Sequence, residues 1–332
     1  MRTFDLKTIT ESSGTALARQ AIRSPATGRD VDLRLLLQEA ADQLCQVVDG
    51  NLEFVVKVSE QDDDIDKLLL LVNFVLASAR RSLNDLNDAH LRIDEDLAAA
   101  RKLQEKLLPQ KLPPARRLRA SAKCVPARVV GGDFFDFFSY KYSDKYVGLL
   151  ADVSGKGASA ALYAALTSGI VGSLVEAELS PRLMLQRLNR NLFLRAPEKH
   201  FVALTYSIWD DERLVLETCG SGLPEPLLCR NGTIERLPLH GVPLGLMPET
   251  DYETMRIQCE PGDTFLFYTD GVVDAVDKDG NEFGTDRLCE LMFDACRNKT
   301  AQIVETVFEQ VTAHCACEAN LDDQTVVVMS VL

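Results

Sequence analysis

The sequence predicts an α+β protein in two parts, a helical front portion followed by a strand-rich domain. Three observations carry this expectation. At 332 residues the chain is too long for one small module and long enough for one unit to bury a sizeable core. Before Pro109, apolar residues recur at three- and four-residue steps with few helix breakers. After Pro109, glycines, prolines and alternating β-branched runs read as many strands with a few helices.

Residues 1–30 are polar and irregular and end in the turn-like Ser24-Pro25-Ala26-Thr27-Gly28, so a flexible lead is expected there. From Asp32 to Val48 the residues Leu33, Leu36, Leu37, Ala40, Ala41, Leu44 and Val47 keep helical spacing, and Asp49-Gly50-Asn51 supplies the stop. A short extended stretch, Leu52 to Val58, follows. The acidic Asp62-Asp63-Asp64 then opens a second helix, where negative charge favours the positive end of the backbone dipole.

That second helix has the clearest periodicity in the chain. Steps of three and four from Leu69 give Val72, Leu76, Ala79, Leu83, Leu86, His90, Ile93, Leu97, Ala100, Gln104 and Leu107, and only His90 and Gln104 are not apolar. A stripe sustained over about five heptads without Pro or Gly predicts a coiled coil. The competing reading is a long helix folded back on its own domain. His90 and Gln104 would either fix register as polar seam residues or mark a partly exposed seam. The helix must stop before Pro109.

Short helix, connector with Gly50 and Leu52, acidic helix start and heptad helix together resemble a HAMP-type signalling module over about residues 33–85, without its usual membrane segment. That resemblance implies a parallel homodimer through the coiled coil, with an unknown upstream activator acting on the helical half by shifting or rotating its helices. The expected organisation is a flexible lead at 1–30, a HAMP-like segment at 31–65, a coiled-coil linker helix at 66–108 and a catalytic domain at 109–332.

Composition narrows the partners. The formal net charge is −14 with no evident basic patch, which argues against nucleic acid and anionic membrane surfaces. The longest uninterrupted apolar run, Ala160 to Leu166, is far short of a bilayer span, and the start Met1-Arg2-Thr3-Phe4-Asp5 lacks the pattern of a secretion signal. A cytoplasmic location is expected. The nine scattered cysteines fit reduced thiols better than a disulfide frame or a zinc site.

Chemistry enters with aspartates beside glycines or at strand ends: Gly131-Gly132-Asp133, Asp152-Val153-Ser154-Gly155-Lys156-Gly157, Thr269-Asp270-Gly271 and Asp322-Asp323-Gln324-Thr325. Three adjoin strand-like runs, Tyr146 to Leu150, Thr264 to Tyr268 and Thr325 to Val331. A carboxylate leaving a buried strand is held rigidly, and several that converge form a cage of hard oxygens suited to Mg²⁺ or Mn²⁺. Four histidines in all, His90, His200, His240 and His314, are too few to argue for zinc. Singly, each such aspartate is more often a turn residue than a ligand.

Taken in order, these blocks resemble the motifs of the PPM-type metal-dependent serine/threonine phosphatases, in the bacterial SpoIIE/RsbU-like branch. The resemblance runs from about Leu103 to Leu332. It includes Leu103-Gln104-Glu105-Lys106-Leu107-Leu108-Pro109, Gly131 to Phe137, Asp152 to Gly157, Leu188-Asn189, Pro243-Leu244-Gly245, Pro261-Gly262-Asp263, Tyr268 to Val272, Phe283-Gly284 and Asp322-Asp323. It implies a four-layer α-β-β-α sandwich behind the helical front. It also implies two divalent cations, Mn²⁺ or Mg²⁺, held by Asp133, Asp152, the backbone carbonyl of Val153, Asp270 and Asp322. A metal-activated water would then attack phosphorus in line, with no protein nucleophile. Relatives in this branch act on phosphorylated STAS-type proteins of partner-switching pathways, and such a substrate is expected here.

Four further positions stay open. Asp136 is a candidate for supporting the site or for a structural hydrogen bond, Asp323 is read as the neighbour of Asp322 with an offset of one between them left open, Arg128 could reach the substrate, and Lys156 is either a solvated turn lysine or a residue that steers phosphate. Where related sequences commonly carry Gly-His, this chain has Gly220-Ser221. The alternative to an enzyme is a catalytically silent phosphatase-like scaffold, which loss of metal ligands would mark; all four aspartates are present. A nucleotide-binding P-loop at Gly155-Lys156-Gly157 fails on spacing.

Overall fold

The computed structural model describes residues 64–109, 115–195, 200–315 and 322–332, together with Gln38. The expected flexible lead, the helix from Asp32 to Val48, the extended stretch after it and most of the HAMP-like segment lie outside the described residues. Residues 93–332 form one compact unit, and the part of the chain before Ile93 is not part of it.

Helix α1 runs unbroken over Asp64–Leu107, and Pro109 stands just beyond its end. Its stripe is largely uncovered: Leu83 is 47% exposed, Leu86 55%, Ile93 56% and Leu107 56%, while Leu76 is buried. The C-terminal part of α1, from Ile93, belongs to the larger unit.

Among its described residues that unit has ten strands: β1 (Leu118–Val125), β2 (Phe134–Ser139), β3 (Lys145–Val153), β4 (Val202–Asp210), β5 (Val215–Ser221), β6 (Leu227–Arg230), β7 (Thr233–Arg236), β8 (Thr254–Gln258), β9 (Thr264–Tyr268) and β10 (Gln324–Val331). They form two five-stranded antiparallel sheets, in the orders β1-β10-β9-β6-β7 and β2-β3-β4-β5-β8. The helices are α2 (Ala158–Val175), α3 (Pro181–Phe193), the single turn α4 (Asp270–Val273), α5 (Thr285–Ala295) and α6 (Thr300–Cys315).

Period-two alternation explains the layering. On β3, Val147, Leu149, Ala151 and Val153 pack with Leu185 and Leu188 of α3 and Ala164 and Val171 of α2, whereas Leu150 points to the opposite sheet. On β10, Val326 and Val328 face Val304 and Val307 of α6, whereas Val327 and Met329 meet Leu150 and Phe135 between the sheets. The resulting order is α2/α3, sheet, sheet, α5/α6, which is the four-layer sandwich the resemblance implies.

Helix α2 adds a feature that the longest uninterrupted run did not reveal. Thr167, Ser168, Gly169, Gly172 and Ser173 interrupt the run without adding charge, so Ala158–Val175 is long and apolar enough to cross a membrane by composition. In this fold Ala160, Tyr163, Ala164, Val171 and Val175 of the same helix are buried in the domain core.

Candidate metal centre

The four aspartates sit at neighbouring ends of both sheets. Phe134 pairs with Ala151, which brings Asp133, just before β2, alongside Asp152 near the end of β3. Tyr268 pairs with Val326, so Asp270 at the start of α4 follows β9 beside Asp322, which precedes β10. Two antiparallel pairs, one from each sheet, therefore deliver two acidic residues each.

Asp133 is 2% exposed and anchored from below. The Thr269 hydroxyl donates to its Oδ2 at 2.8 Å and the Thr325 hydroxyl at 2.7 Å. Thr269 in turn accepts the Thr325 backbone N–H at 2.9 Å. Burial and the Asp152 charge push the Asp133 carboxyl well above the usual carboxylate range, against the pull of the two hydroxyls. Asp152 shares a hydrogen bond with Asp133, and burial followed by the charge of Asp270 raises it to about 7. Asp270 is raised by burial and then by Asp322, with the Gly271 N–H and Lys156 acting against that rise. Lys156 pairs with Asp322 at 2.9 Å.

Asp323 has a different task from its neighbour. It is 8% exposed and accepts backbone N–H groups from Ala127 at 2.7 Å, Gly132 at 2.6 Å and Asp133 at 3.4 Å. It thereby ties the loop before β2 to the start of β10. The glycines follow from this crowding. A Cβ on Gly131 would come within 2.4 Å of Asp323 Oδ2, one on Gly132 within 2.6 Å of the Val153 carbonyl, and one on Gly271 within 2.0 Å of the Asp323 carbonyl.

The other expected residues divide. Arg128 is exposed and lies by the Gly155–Gly157 loop, its Nη1 3.8 Å from where a Cβ of Gly157 would stand. Asp136 stands apart from the cluster: its Oδ1 accepts the Phe137 N–H at 2.8 Å, and burial raises it to about 6 without a contribution from the four aspartates. Ser221 is fully buried, and its hydroxyl both accepts the Leu204 N–H at 3.1 Å and donates to the Leu204 carbonyl at 3.0 Å. Sequence reasoning missed Thr269, Thr325 and Asp274. Asp274 closes the α4 turn and is raised by burial and then by Asp270, four residues earlier, a helical spacing that could have signalled it.

The atoms gathered here that could act as donors are oxygens, from four carboxylates and the Val153 carbonyl, and Lys156 lies beside Asp322. Hard divalent cations suit such a set. Among the described residues no three His, Cys, Asp or Glu side chains close around a single point. The largest charge effects run between neighbours, from Asp152 on Asp133, from Asp270 on Asp152 and from Asp322 on Asp270, with Asp322 and Asp323 also raising Asp152.

Two packed antiparallel sheets, helices on both outer faces and acidic loops meeting at one end give the chain the PP2C fold. Residues 143–332, more than half of the chain, match the family model described as Stage II sporulation protein E (SpoIIE), and the chain belongs to that family.

The SiaA-PP2C domain of Pseudomonas aeruginosa has a similar structure, with a TM-score of 0.65 at 21% identity over 73% of this chain and 98% of that one. The PP2C phosphatase domain and regulatory-domain fragment of SpoIIE from Bacillus subtilis superpose with a TM-score of 0.58 at 20% identity, over 65% of this chain and 64% of that one. Among sequences, Phosphoserine phosphatase RsbU of Bacillus subtilis is 25% identical over 250 residues, 74% of this chain and 70% of that protein. Protein IcfG of Synechocystis is 26% identical over 262 residues, 70% of this chain but 41% of its own length.

Proposed function

We propose that this chain removes phosphate from serine or threonine of a STAS-domain protein in a bacterial partner-switching pathway, in the cytoplasm, and that two divalent cations, Mn²⁺ or Mg²⁺, serve the reaction. One observation carries the reading: four aspartates from both sheets, distant in sequence, are brought by strand register to a single end of the sandwich. RsbU, described as a phosphoserine phosphatase, supports the substrate class.

Asp133, Asp152, Asp270, Asp322 and the Val153 carbonyl would hold the cations. When bound, such cations acidify a water for attack and neutralise the phosphoryl oxygens. The chain's own residues do the positioning. Thr269 and Thr325 aim the Asp133 carboxyl, and Asp323 fixes the loop that carries it. Lys156, beside Asp322, and Arg128, beside Gly157, place positive charge at the rim, where a phosphoryl dianion must enter a strongly acidic protein.

The helical front would receive the activating signal as a homodimer, because its apolar stripe is left open to solvent over Leu83, Leu86 and Ile93. Full-length protein with Mn²⁺ is expected to release phosphate from a phosphorylated STAS protein, and EDTA or Asp270→Asn is expected to abolish the release. Full activity in Asp270→Asn would refute the ligand assignment.

A further inference from the structure

Gln104 is a polar residue in an apolar stripe, and its place in the fold says why. Its Nε2–H donates to the Gly131 carbonyl at 2.6 Å, and its Oε1 accepts the Gly131 N–H at 3.2 Å. One carboxamide thus satisfies both backbone groups of one residue, as a neighbouring strand would. Gly131 lies two residues before Asp133. Asp323 grips the other side of the same loop through the N–H groups of Gly132 and Asp133. The loop that carries Asp133 is therefore held between two clamps, one from the start of β10 and one from α1.

The rest of the α1 contact is loose. Leu97 and Leu107 of α1, Phe134 of β2 and Leu162 of α2 line a groove of about 510 Å³, and Leu103 and Leu107 stay more than half exposed. Apolar contact has no direction, whereas a two-point hydrogen bond does. Advancing α1 by one residue would turn its faces by about 100° and carry the carboxamide off Gly131. We propose that Gln104 is a positioning residue for the metal centre: through Gly131 it sets the loop that presents Asp133, so that α1 is part of the scaffold of the site. This rests on the reading of Asp133 as a cation ligand.

The test uses the full-length chain and two substitutions. Gln104→Leu keeps the helix and its apolar stripe but removes both hydrogen bonds, and Gln104→Glu keeps the shape but loses the donor to the Gly131 carbonyl. Mn²⁺ binding is measured directly by the electron paramagnetic resonance of free Mn²⁺, and hydrolysis of p-nitrophenyl phosphate is followed against Mn²⁺ concentration. Both variants are expected to bind Mn²⁺ about 10-fold more weakly, as losses of residues supporting metal ligands commonly do, with KM for p-nitrophenyl phosphate unchanged at saturating Mn²⁺. Unchanged Mn²⁺ affinity in the folded variants would overturn the proposal. So would loss of folding in both, because the assignment is to the loop and not to the core. Asp270→Asn in the same binding assay separates the two levels. Undiminished Mn²⁺ binding there sinks the metal reading itself, while lost binding there with unchanged binding in the Gln104 variants sinks only the role of Gln104.

Discussion

At the scale of single residues, the site depends on hydroxyls as much as on carboxylates. Thr325 and Thr269 are fully buried, and both donate to one oxygen of Asp133. Thr325→Val has nearly the same shape but leaves that oxygen with one donor fewer. Chemical denaturation is expected to show a loss of about 1–3 kcal/mol, the cost of leaving a buried polar group short of a partner. A loss well under about 0.5 kcal/mol would mean that the hydroxyl is not needed. The same scale shows why adjacent aspartates part company. Asp323 is enclosed by backbone N–H groups, whereas Asp322 is half-exposed and reaches Lys156.

At the scale of elements, α1 is the segment whose local pattern and surroundings disagree. Its length and end were legible in the stripe and in Pro109, since helical periodicity and a missing proline N–H are local facts. Its partner was not. Leu83 and Leu86 are each about half exposed, and covering the remaining half of such side chains is worth roughly 0.7–1.5 kcal/mol apiece. If a second copy covers them, the double substitution Leu83→Asp, Leu86→Asp is expected to halve the mass seen by light scattering while the phosphatase domain stays folded. An unchanged mass would place the dimer contact elsewhere. The strands were easier. Thr264–Tyr268 is a strand over the range its apolar run suggests, and the run Thr325–Val331 lies within β10. Both are central in their sheet and buried on both faces, so they read as continuous apolar runs.

At the scale of the whole molecule, an acidic protein concentrates further acid in one place. Asp133, Asp152 and Asp270 all have folded-state carboxyls above their ordinary range, so the folded chain binds protons more tightly than the unfolded one. Their contribution to stability is complete below the ordinary carboxylate range and is lost as pH rises through the folded values, about 7 for Asp152. In EDTA the melting temperature is therefore expected to fall between pH 5 and about pH 8, and on the proposal that the deprotonated carboxylates hold Mn²⁺, added Mn²⁺ is expected to reverse that trend. A melting temperature that rises with pH in EDTA would contradict the coupling.

What the sequence by itself determined is whatever contiguous residues encode: the long helix and its stop, the apolar runs of β9 and β10, the acidic residues at their ends, and the order of motifs that points to the family. What only the tertiary structure decided is which distant groups meet. Gly132 and Asp323 are 191 positions apart, Thr325 and Asp133 192, and Gln104 and Gly131 27. Periodicity reports which way a side chain faces along its own element. Its partner across the sandwich depends on strand register and sheet order, which arise only when two sheets and a helix pack together.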